Sequence, residues 1–140
     1  NIFGTYSAGI LGQRFPKKYL LSGIYLGRSI AIIGFLVLPL TPMTTYIFAA
    51  VMGFLWLSTI PLTNGIVAQI FGVKYLTMLS GLVFFSHQLG SFCGAFFGGY
   101  LFDRTGSYLI VWDIAIALGI FAFLVNLPVK ERALARVANA

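Results

Sequence analysis

The chain has 140 residues, 59% of them apolar and 9% charged, and the apolar share reaches about 70% once the 16 glycines are added. Soluble domains carry roughly 45–50% apolar and about 25% charged residues on that measure, so disorder, a collagen-like chain and an ordinary soluble domain are excluded. No Asp, Glu, Lys or Arg occurs in the 45 residues from Ser29 to Val73 or in the 28 from Tyr75 to Phe102, room for two membrane crossings and for one at about 20 residues each.

In chain order, residues 1–12 are apolar but too short to cross a bilayer. Because the chain opens on Asn1, we expect a truncated span and the C-terminal part of a longer protein, with the missing N-terminal half as its partner. The first whole span is predicted over 19–38, closed by Pro39 and Pro42, which end a helix and open a turn. The second runs over 46–71 and ends at Gly72-Val73-Lys74. The third covers 75–102 and ends at Asp103-Arg104-Thr105-Gly106, and the fourth covers 108–127 and ends at Pro128. Residues 1–128 thus form a transmembrane bundle and 129–140 a tail. Cys93, the single cysteine, has no partner for a disulfide within the chain.

Lysine and arginine set the orientation, since short cytoplasmic loops carry the excess. Arg14, Lys17 and Lys18 fall in the first loop, Lys74 in the third, and Lys130, Arg132 and Arg136 in the tail, which is seven of the nine basic residues. The second and fourth connections hold only Arg104, beside Asp103. Basic and neutral connections alternate, so the first and third loops and the C-terminus are expected in the cytoplasm. Five of the seven tyrosines (Tyr19, Tyr46, Tyr75, Tyr100 and Tyr108) fall at span ends, where an amphipathic ring suits the headgroup layer. The net charge of +6 is therefore read as topological, with no nucleic-acid partner.

Two connections resemble each other. Gly9-Ile-Leu-Gly-Gln-Arg-Phe-Pro-Lys-Lys-Tyr and Gly99-Tyr-Leu-Phe-Asp-Arg-Thr-Gly-Ser-Tyr share Gly-x-Leu-x-x-Arg, a turn-forming residue and a tyrosine opening the next helix. Three spans separate them, so the copies lie on opposite faces of the membrane, an inverted repeat of the kind that builds many secondary transporters. The first copy resembles the short signature of the major facilitator superfamily, Gly-x-Leu-[Ala/Gly]-Asp-Arg-x-Gly-Arg-Arg. Gly9, Leu11, Arg14, Lys17 and Lys18 fit it, Gln13 replaces its aspartate and Pro16 its glycine, so an ion pair built on that aspartate is not implied. The resemblance covers the whole chain, from a truncated helix eight to helix twelve, and is nearest the monocarboxylate transporter and oxalate antiporter branch. That branch carries Asp-x-x-Gly-Arg-Pro-x-x-Gly-x-Leu on helix eight. Here Asn1 replaces the carboxylate and Thr5 the arginine, so lactate-type substrate binding is not carried over.

Arg28 is the tenth residue of its span, about 15 Å from either end at 1.5 Å per residue. An arginine at that depth costs at least about 2.5 kcal/mol and faces a cavity or a partner. It either contacts an anion in the transport path or serves the structure, as an ion pair or as a cap on carbonyls of a broken helix. The resemblance makes its helix peripheral, which favours the structural role, and Asp113 is the acidic partner within reach. In the second span Met52, Trp56, Thr59 and Thr63 share a helical face, Asn64 follows, and Pro61 leaves the Leu57 carbonyl without its partner. The resemblance makes this a cavity-lining helix, so Trp56, Thr59, Thr63, Asn64, His87 and Arg28 are the solute-path candidates. In the third span Ser86, Gly90, Gly94 and Gly98 recur every four residues, a ridge for close helix approach. His87, beside it, either exchanges a proton or hydrogen-bonds a neighbouring helix.

Nothing here has metal-ligand spacing, a nucleophile with a base or a phosphate loop, so no enzyme, cofactor or metal is expected. The expected fold is an all-α integral membrane protein, a multi-pass helical bundle with inverted three-helix repeats. The expected function is transport of a small solute, an organic anion, by alternating access in the cell membrane, plasma or inner. The alternative is a non-transporting membrane anchor or assembly module that keeps the fold.

Overall fold

A computed structural model describes residues 1–134, so Arg136 lies outside the described residues. The described chain is helical throughout: α1 (Ile2–Arg14), α2 (Lys17–Val37), α3 (Pro42–Trp56), α4 (Thr59–Phe71), a short 3-10 turn (Val73–Tyr75), α5 (Leu76–Thr105) and α6 (Leu109–Asn126). Four segments among the described residues are long and apolar enough to cross a membrane: Lys17–Val37, Pro42–Phe71, Val73–Thr105 and Leu109–Asn126.

Two boundaries differ by three residues or more from those expected, each for a local reason. The second span begins at Pro42 instead of Tyr46, because Thr41 and Thr44 form a reciprocal cap: the Thr44 amide donates to Thr41 Oγ1 at 3.2 Å and the Thr41 amide to Thr44 Oγ1 at 2.9 Å. Pro42 then sits in the first helical turn, where a missing N–H costs nothing. The third span carries α5 through Asp103 and Arg104 and stops at Gly106, whose φ of 67° only glycine adopts readily and whose amide reaches the Phe102 carbonyl at 2.7 Å. Phe102 and Tyr108 stack across that turn with centroids 4.4 Å apart.

The larger departure is that the segment 46–71 is not one helix. Pro61 has no N–H for the Leu57 carbonyl, and its ring crowds that carbonyl, so the chain breaks at Leu57-Ser58 into α3 and α4.

The tightest helix pair is α2 with α6. Ser22 and Ser29, each 1% exposed, face α6, where their hydroxyls donate to the carbonyls of Phe123 (3.3 Å) and Ile116 (3.2 Å). Gly119 lies between them, and a Cβ there would strike Ser29 Oγ and come within 3.3 Å of the Tyr25 carbonyl oxygen. Nearer the α2–α3 turn Phe35 stacks on Phe48 at 4.3 Å, and Trp112 meets both edge-on, pinning α2, α3 and α6 together. A second core joins α1, α2 and α4 through Ala8, Leu21, Ile24 and Leu62. Helix α5 stands at the margin, touching α4 and α6.

One end of the bundle is tied by polar bonds. Lys17 Nζ donates to Gln69 Oε1 at 3.0 Å, Gln69 Nε2 to the Glu131 carbonyl at 2.9 Å, the Lys18 amide to the Glu131 carboxylate, and Lys18 Nζ to the Leu127 carbonyl at 3.1 Å. The α1–α2 loop, the end of α4 and the start of the tail therefore share one end, and the Asp103-Arg104 turn, one long helix away, lies at the other. The two copies of the Gly-x-Leu-x-x-Arg repeat thus sit at opposite ends.

Candidate functional site at a broken helix

The break in the second span rearranges a run of backbone groups, and each has an identifiable partner. Ser58 Oγ donates to the Phe54 carbonyl at 2.6 Å. Arg28 Nη2 donates to the Leu55 carbonyl at 3.0 Å and also to the Trp56 carbonyl. The Leu57 carbonyl, expected to stay free beneath Pro61, instead accepts from the Ile60 amide at 3.1 Å in a tightened turn. The Leu57 amide donates to Asn1 Oδ1 at 3.3 Å. Proline removes one donor, the Ile60 amide turns to Leu57, and Arg28 reaches the carbonyls one and two positions back.

The guanidinium is also seated between two rings, 5.6 Å from the Tyr25 centroid and 5.2 Å from that of Trp56, within the range of cation–π attraction. Its Nε is buried without a hydrogen-bond partner. Of the roles open to Arg28, the structure shows the carbonyl cap. The pairing with Asp113 is not made: Asp113 is exposed on α6, and the guanidinium turns towards α3. The physical reason is proximity, because the break presents two acceptors directly across from α2.

The remaining candidates divide into two groups. Trp56 ends α3 at the break, and Thr59 and Thr63 begin α4, with Thr63 Oγ1 turned back to the Thr59 carbonyl at 2.8 Å. The stripe running from Met52 through Trp56 to Thr63 is therefore interrupted at Leu57-Ser58. Asn64 Oδ1 accepts from Ser80 Oγ of α5 at 2.9 Å, bridging the two arms of the α4–α5 hairpin. His87 is seven residues past Ser80, on the same side of α5 and about 10 Å further along, which is the depth of the break. It is exposed, with Phe84 beside it at 6.4 Å between centroids. The break, Arg28 and His87 thus lie at one depth, at mid-height of the bundle.

The ridge on α5 is not an approach surface within the described residues. A Cβ on Gly90 or Gly94 would meet nothing within 4 Å, Ser86 bonds its own helix at the Leu82 carbonyl, and only Gly98 is covered, 3.9 Å from Val111. Close approach occurs instead on α1, where Gly4, Ala8 and Gly12 recur every four residues and are buried, and on α6 at Gly119. A Cβ on Gly4 of α1 would strike the Phe54 carbonyl beside the break, and one on Gly119 would strike Ser29. Heptad spacing of Ser22 and Ser29, with Ala115, Gly119 and Ala122 on α6, was the signal available for the second of these. In the signature loop a Cβ on Gly9 would meet nothing within 4 Å, Leu11 is exposed, Gln13 and Arg14 make no side-chain hydrogen bond among the described residues, and Lys17 and Lys18 carry the contacts.

A depression of about 90 Å³ lies between α1 and the break and is lined mostly by apolar groups. Another, of about 440 Å³, lies among Lys18, Val129, Lys130, Glu131 and Arg132 at the tied end.

A bundle of apolar helices with an interrupted span and a half-buried arginine at mid-height has the form of a multi-pass membrane protein. The chain matches the family model of the Major Facilitator Superfamily over residues 1–140, and it belongs to that superfamily. Members of the superfamily are membrane transporters and not enzymes. No curated protein and no solved structure matches the chain.

Proposed function

We propose that the protein is a secondary transporter that moves a small organic anion across the plasma or inner membrane by alternating access. The observation that carries this reading is the span broken at the depth of Arg28. Irregular backbone at mid-membrane is tolerated where it is buried in protein or lines a water-filled cavity, and transporters place their binding sites at such discontinuous helices. An anion is favoured because the charged group in that layer is a cation. Trp56, Thr59, Thr63, Asn64 and His87 line the path in this reading, and the rest of the protein completes it. The substrate lies nearest the monocarboxylate and oxalate branch, with Asn1 and Thr5 marking a different contact from lactate binding.

The test is uptake by the full-length protein in liposomes. Labelled small carboxylates should accumulate faster than neutral molecules of the same size, and protein-dependent uptake confined to neutral or cationic solutes overturns the anion reading. The tied, basic end is assigned to the cytoplasm. In a Cys93→Ser background an impermeant thiol reagent added outside cells should modify Thr105→Cys but neither Lys17→Cys nor Lys130→Cys, and the reverse pattern inverts the topology.

A further inference from the structure

We propose that Arg28 is a positioning residue that sets the geometry of the α3–α4 break and does not hold the solute. This rests on the transport reading above and names how the site is kept in shape. A carboxylate is gripped by a guanidinium through two adjacent N–H groups, either at the end of the fork or along its Nε side. Both arrangements are spoken for here. Nη2 donates to the Leu55 and Trp56 carbonyls, which removes half of the end-on fork, and Nε is buried, which closes the side-on one. The rings of Tyr25 and Trp56 hold the group in that pose.

What Arg28 does control is the start of α4. The carbonyls it caps are the last two of α3, so its reach from α2 fixes where α3 stops and where Thr59 begins. From there Thr59, Thr63 and Asn64 follow as one rigid half-helix, whose far end is held by Gln69 and by the Ile70 carbonyl, which accepts from the Leu134 amide at 3.0 Å. Arg28 acts on the path through α4. Its positive charge adds to the potential in the layer without a direct bond to the solute.

Two variants of the full-length protein separate holding from positioning. Arg28→Lys keeps the charge, donors enough for two carbonyls and all but one bond of the reach, and has no planar fork. Arg28→Met keeps the packing between the rings and removes every donor. Spin labels at Ile47 on α3 and Phe71 on α4, in a background without other cysteines, report the angle of the break. KM and turnover for the transported anion report the site. For Arg28→Lys the interlabel distance should match the unsubstituted protein and KM should stay within about threefold. For Arg28→Met the distance distribution should broaden and turnover should fall about tenfold or more, as for loss of a charge-assisted bond, with the smaller change in KM. A tenfold rise in KM for Arg28→Lys at an unchanged distance makes Arg28 a solute ligand and overturns the proposal. An unchanged distance in Arg28→Met overturns it as well, and so does failure of both variants to accumulate. If no anion is transported, the transport reading fails while the distance arm still decides the role of Arg28.

Discussion

Helices α2 and α5 both carry small residues at regular spacing, and of the two only α2 is gripped. On α2, Ser22 and Ser29 are seven residues apart, buried, and bonded across to carbonyls of α6, with Gly119 letting the backbones close. On α5, Ser86, Gly90 and Gly94 follow each other every four residues and face open space. Spacing shows that a surface can be approached. A hydroxyl that finds a carbonyl on the neighbouring helix shows that it has been. In lipid the distinction matters more than in water, because tails are as apolar as leucine and helices associate through packing and hydrogen bonds.

The comparison breaks most visibly at Gly119. Gly119→Leu should abolish a monodisperse peak in fluorescence-detected size-exclusion chromatography, since overpacking costs about 1–3 kcal/mol or more where neighbours cannot retreat, and here one neighbour is the Tyr25 carbonyl. Gly94→Leu should leave the same peak intact, and equal loss from both substitutions would show that α5 is as tightly packed as α6. Next comes Gly4→Ala, whose added carbon would strike the Phe54 carbonyl. It should lower thermal stability in detergent measurably while Gly9→Ala, with nothing within 4 Å, should not. A smaller effect is expected from Ser29→Ala, which removes one interhelical bond worth about 0.6 kcal/mol by membrane double-mutant cycles, a drop of a degree or two in apparent Tm. The smallest is Lys17→Ala at the exposed tied end, within about 0.5 kcal/mol and near the limit of detection.

How much of this was legible in the sequence depends on where each signal resides. Span number and the shared end of the basic loops follow from runs of apolar residues and from lysine and arginine counts, because the bilayer imposes both. Pro61 announced a disturbed carbonyl at Leu57. It did not announce that the Ile60 amide would turn to Leu57 and pass the deficit to Leu55 and Trp56. Arg28 drew attention by its depth, yet its acceptors are main-chain oxygens, which every residue possesses and no side chain advertises. Asp113 looked the better partner because carboxylates are visible in a sequence and carbonyls are not. The Ser22–Ser29 seam escaped for a similar reason, as two serines in an apolar span are unremarked until the helix across from them is known.

The strap at the tied end also has a consequence for how the chain is made. Glu131 meets the first turn of α2 at the Lys18 amide, 113 positions earlier in sequence, and occupies a helix N-terminus that would otherwise show bare N–H groups to water. That contact cannot exist while the ribosome is still supplying α6, because Glu131 follows that helix. Nor can the bond from Leu134 back to Ile70. Both close only after α6 has been made, so within the described bundle the strap is among the last contacts to form.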